Sequence, residues 1–139
     1  MRIVTKTIGV STKGHTDIID ITDQVGACLH SSELKDGNLN VFISGSTAAV
    51  TTIEYEPGLV KDLPEILEKI APVGKRYHHD DTWHDGNGYA HIRASLLGPS
   101  LTIPFSRGKL LLGTWQQIVL VDFDNRPRKR EIVVQMTGE

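Results

Sequence analysis

Short runs rich in β-branched residues, each closed by glycine, proline or small polar residues, recur along this chain and crowd into its second half. Arg2 to Val10 (Ile3, Val4, Thr5, Thr7, Ile8, Val10) reads as a strand ended by Ser11-Thr12-Lys13-Gly14. Leu39, Val41 and Ile43 alternate with Asn40, Phe42 and Ser44, which predicts a central strand, and Phe42 predicts cover on its second face as well. Val50 to Ile53 follows the small, polar turn Gly45-Ser46-Thr47-Ala48-Ala49. His91, Arg93 and Ser95 alternate with Ala90, Ile92, Ala94 and Leu96, which predicts another strand from Tyr89 onward. Ser100 to Pro104, Lys109 to Leu112, Gln116 to Phe123 and Arg130 to Met136 complete the set, with Gly98-Pro99, Ser106-Arg107-Gly108 and Gly113-Thr114 between them.

Two stretches carry helical spacing. Thr22 reads as an N-cap for a helix from about Asp23 to Leu34, with Val25 and Leu29 on one face. Leu59, Val60, Leu63, Ile66, Leu67 and Ile70 predict a second, amphipathic helix, with a kink or restart at Pro64. Tyr77 to Gly88 is polar, aromatic and glycine-bearing, and reads as a long functional loop. About seven or eight strands and two main helices, the helices early and the strands late, predict an α+β fold with mixed or antiparallel sheets. With 139 residues, 39% of them hydrophobic and 23% charged, residues 1–139 form one domain around one core.

Composition narrows the function. The uncharged stretch Ala94 to Ser106 is broken by Pro99 and Pro104 and falls short of the roughly 18 apolar residues of a membrane span. Fifteen basic against 17 acidic residues leave a net charge of −2 and no general field for nucleic acid. Cys28 is the single cysteine, which excludes an internal disulfide and a thiolate zinc knuckle and fits a reducing, cytoplasmic setting. Met1 to Lys6 runs into mixed sequence without the apolar core of about 7–15 residues that a signal peptide carries.

Of six histidines, His78, His79, His84 and His91 fall within fourteen residues, with Asp80, Asp81 and Asp85 between them. Imidazoles are common metal ligands and carboxylates can orient them, although these spacings match neither a helical H-E-x-x-H pair nor a zinc finger. On the strand reading, Arg93 shares a face with His91 and Ser95 and suits a phosphate or carboxylate, or pairs with an acid across the sheet. Gly45-Ser46-Thr47 offers backbone amides to an anion, but lacks the lysine of a P-loop, and an ordinary turn accounts for it too. Trp115, in Gly113-Thr114-Trp115-Gln116-Gln117, reads as core or interface packing, and Arg126, Arg128, Lys129 and Arg130 read as a solvated hairpin.

His91-Ile92-Arg93-Ala94-Ser95-Leu96-Leu97-Gly98-Pro99-Ser100-Leu101-Thr102-Ile103-Pro104, with Gly113-Thr114-Trp115-Gln116-Gln117 and Val121-Asp122-Phe123-Asp124, resembles the YjbQ-like family, also known as secondary thiamine-phosphate synthase. The resemblance covers essentially the whole chain. It implies a small α+β protein assembled as a homotrimer, with a metal site and a weak joining of a pyrimidine diphosphate to a thiazole phosphate. It carries His79, in Tyr77-His78-His79, and His91 as metal ligands. Many relatives have histidine where Gly45 and Tyr89 stand, so His84 is expected to complete a set of His79, His84 and His91 around a divalent ion such as Zn²⁺. In that scheme Arg93, Ser95 and the Gly45-Ser46-Thr47 turn receive phosphate, while Glu54, Glu56 or a free histidine moves protons. The alternative is a non-catalytic trimer that holds metal or a small anionic metabolite.

Overall fold

A computed structural model describes residues 1–139. In chain order the elements are β1 (Arg2–Thr12), β2 (Asp17–Asp20), α1 (Thr22–Ser32), β3 (Gly37–Ile43), β4 (Ala48–Ile53), α2 (Pro57–Ile70), α3 (His78–Trp83), α4 (Gly88–Leu97), β5 (Ser100–Ser106), β6 (Lys109–Leu110), β7 (Gln117–Asp122) and β8 (Arg128–Gly138). Eight strands form two antiparallel sheets, one in the order β1-β8-β3-β5-β6 and one in the order β2-β7-β4. The α+β class is as expected from the sequence.

β7 explains the layering. Ile118 and Leu120 point into a core shared with Leu39, Ile43, Ile132 and Met136 of the larger sheet and with Val25 and Leu29 of α1. Val119 and Val121, alternating with them, point into a second core with Leu67 of α2 and Tyr89, Ala90 and Ala94 of α4. An uninterrupted apolar run is what a strand buried on both faces needs. The smaller sheet is therefore the middle layer, with the larger sheet on one side and α2 and α4 on the other.

Several expectations are corrected. The predicted strand from Tyr89 is the helix α4, whose buried Ala90, Arg93, Ala94 and half-buried Leu97 recur at helical spacing, and alanine and leucine favour helix over strand. Arg93 consequently leaves the face that His91 and Ser95, one helical turn apart, still share: Arg93 is buried, His91 half-buried and Ser95 exposed. The long loop contains α3. Pro64 lies inside α2 without dividing it, and Glu56 caps that helix by accepting from the amides of Gly58 and Leu59. Thr22 is the first residue of α1 and not its cap, its amide donating to Asp20. β2, a four-residue strand, has no counterpart in the sequence reading. β3 is central in pairing, between β8 and β5, but Phe42 is 40% exposed, so only one of its faces is covered. No helix is long and apolar enough to cross a membrane.

Candidate functional site

A cleft of about 360 Å³ opens where four segments meet. They are the Gly45-Ser46-Thr47 turn between the two sheets, α3 with the segment that follows it, the start of α4, and the start of β8 after the connection from β7. Its foundation is a buried charge cluster. Asp122 and Asp124 are fully buried, and Arg130 grips Asp122 through Nε at 2.7 Å and Nη2 at 2.9 Å while donating from Nη2 to Thr47 Oγ1. Arg128 Nε donates to Asp124 at 2.8 Å. Burial pushes the Asp124 carboxyl up, but the Asn125 amide, Arg128, Asn87 and Thr47 all donate to it and outweigh burial, holding it at about 2. Burial opposes ionisation of Asp122 too, and donors from Arg130, Thr12 and the Asp124 amide bring it below the usual carboxylate range. Two carboxylates and two guanidiniums balance in charge.

Neither arginine is used up by this balance, because Nη1 of each makes no bond within the protein. Arg130 Nη1 lies against Gly45: a Cβ there would stand 2.9 Å from it, and Gly45 has φ +147°, a conformation that suits glycine. The backbone amides of Gly45, Ser46 and Thr47 donate to no group of the protein either. Free guanidinium edges and successive free amides are the chemistry of an anion cradle.

Two imidazoles stand beside it, with the rings of His79 and His91 centred 4.2 Å apart. Asn87 orients one of them. Its Nδ2 donates to Asp124 Oδ1 at 3.3 Å, so its Oδ1 faces His79 Nε2 at 3.1 Å and that nitrogen carries the proton. His79 Nδ1 makes no hydrogen bond within the protein. Burial and then neighbouring His79 lower the His91 pKa below its ordinary value, against the pull of Asp85, Asp124 and Asp80, so His91 is neutral at physiological pH.

Of the residues expected at the site, Gly45, Ser46, Thr47, His79 and His91 are brought together. Thr47 serves through its backbone, since its hydroxyl is bonded to Asp124 and Arg130. His84 is the exposed, left-handed C-cap of α3 and does not line the cleft. Arg93 lies elsewhere: buried, it bonds Glu68, the Ala71 carbonyl and Thr16, pinning α4 to α2 and to the segment after β1. Tyr89 is buried beside it, with the guanidinium 5.1 Å from the ring centre. Ser95 donates to the His91 carbonyl one turn back. Glu54 and Glu56 follow β4, whose six residues carry them roughly 17 Å from the turn. Trp115 is 72% exposed and outside the core.

The residues missed by sequence reasoning are Asn87, Asp122, Asp124, Arg128 and Arg130. A signal existed in the paired spacings Asp122-x-Asp124 and Arg128-x-Arg130 on either side of a turn. The basic run is no hairpin, since β7 and β8 belong to different sheets; Arg126 and Lys129 are exposed as expected, while Arg128 and Arg130 are held by the buried aspartates.

A family model for UPF0047, YjbQ-like proteins, matches residues 6–139. A UPF0047 protein of Archaeoglobus fulgidus is 44% identical over 126 residues, covering 91% of this chain and 95% of the relative. One from Methanothermobacter thermautotrophicus is 39% identical over 139 residues, covering 100% and 95%. A crystal structure of a YbjQ-like protein of unknown function from Sulfolobus solfataricus superposes with TM-score 0.93 at 34% identity, over 99% of both chains. Like them, this chain belongs to the UPF0047, YjbQ-like family.

Proposed function

We propose that this cleft receives the phosphate groups of a small phosphorylated anion, and that the reaction it serves is a transfer in which diphosphate leaves. One observation carries the reading: two guanidiniums fixed by buried aspartates keep Nη1 free in a cleft that also holds three free backbone amides. In the condensation implied by the family resemblance, the carbon–oxygen bond of the pyrimidine diphosphate breaks and its electron pair leaves on diphosphate. The thiazole nitrogen supplies the pair for the new carbon–nitrogen bond. Arg128, Arg130 and the turn amides meet the charge that develops on the leaving oxygen, and neutral His91 adds a hydrogen bond.

Arg128→Gln is the direct test, because Asp124 keeps its other donors. Removing one charge-assisted contact is expected to weaken inorganic pyrophosphate binding about tenfold or more, measured by calorimetry. No binding by the unaltered protein at millimolar pyrophosphate would sink the proposal. Binding without turnover of the two precursors would leave a non-catalytic anion-binding protein.

A second reading rests on the paired imidazoles. His79 Nδ1, His91 and the nearby Asp85 do not close a metal site by themselves, since no three His, Cys, Asp or Glu side chains converge. They suit a divalent ion such as Zn²⁺ shared with substrate oxygens, where the ion would neutralise phosphate charge. Elemental analysis of His91→Ala is expected to show the metal lost, and retention at the unaltered stoichiometry would overturn this reading. The homotrimer belongs to the same proposal, supported by Ile92 and Leu96, which stand exposed on α4.

A further inference from the structure

We infer that Trp83 makes the cleft selective for phosphate esters that carry a planar ring. The inference rests on the anion-binding reading and adds the side chain that meets the ring of such a substrate. Trp83 is the one apolar side chain lining an otherwise polar cleft, and it is 69% exposed and belongs to neither core. Its helix is held in place on three sides. Arg76 pairs with Asp81 at 2.5 Å, Asp80 accepts from the Gly88 amide at 3.2 Å, and His79 bonds Asn87. The indole is thus presented at the rim by a fixed element, beside donors that anchor a phosphate. A cleft of about 360 Å³ leaves room for more than the phosphate. The apolar part of a ligand has only the indole to meet, and indole faces bind flat rings by stacking.

The test uses full-length protein and three probes: inorganic pyrophosphate, phenyl phosphate and glycerol 3-phosphate. The unaltered protein is expected to bind phenyl phosphate at least about fivefold more tightly than glycerol 3-phosphate. Trp83→Leu should erase that preference, Trp83→Phe should keep it, and pyrophosphate affinity should be the same in all three. A preference that survives Trp83→Leu, or none in the unaltered protein, overturns the inference while leaving the anion site intact. Failure of pyrophosphate itself to bind overturns both. A change in sedimentation mass on Trp83→Leu also overturns it, assigning the indole to a subunit contact.

Discussion

Asp124 shows how a single side chain joins stability to the site. Its folded pKa of about 2 lies below the ordinary 3.8, so the unfolded chain takes up a proton first as the pH falls. The resulting stabilisation, about 2 kcal/mol, is fully present above pH ~4 and is lost as the pH drops toward the folded value. Asp122 acts in the same sense. Urea unfolding between pH 7 and pH 2 is expected to show a shallower acid loss in Asp124→Asn than in the unaltered protein; parallel curves would refute the assignment. The histidine cluster told part of this in advance. His79 and His91 were expected together and stand together, whereas His84 turns outward because α3 ends on it. Arg93 was expected at the cleft and instead ties three segments together, since on a helix it points away from His91.

α4 is the element on which the site turns. Alternation of polar and apolar residues from Tyr89 to Leu96 satisfies a strand pattern, yet Ala90, Ala94 and Leu97 also satisfy a helix, and only packing on the smaller sheet separates the two. Gly88 lets that helix start against α3's neighbour, because a Cβ there would lie 2.5 Å from Tyr77 Cβ. At the start of α2 the same scale gives a second test. Glu56 holds the amides of Gly58 and Leu59 as an N-cap, so Glu56→Ala is expected to lower stability by about 1 kcal/mol in urea unfolding. Pyrophosphate affinity should not change, and a loss of affinity would return Glu56 to the site.

For the molecule as a whole, the proposed homotrimer predicts a sedimentation mass three times that of one chain. Leu96→Asp, on the exposed face of α4, should lower that mass, and a monomeric unaltered protein would refute the assembly. The sequence by itself determined the α+β class, most strand positions and the two main helices, because periodicity and turn residues are local properties, whereas the pairing of His79 with His91 was implied by the family resemblance. Only the tertiary structure decided that β7 is buried on both faces, that residues 88–97 form a helix, and that Asp122, Asp124, Arg128 and Arg130 interlock beneath the cleft. A charge reads as solvated until its partner is known, and the partner is set by how the connection from β7 to β8, crossing between the two sheets, passes Thr47 and Asn87.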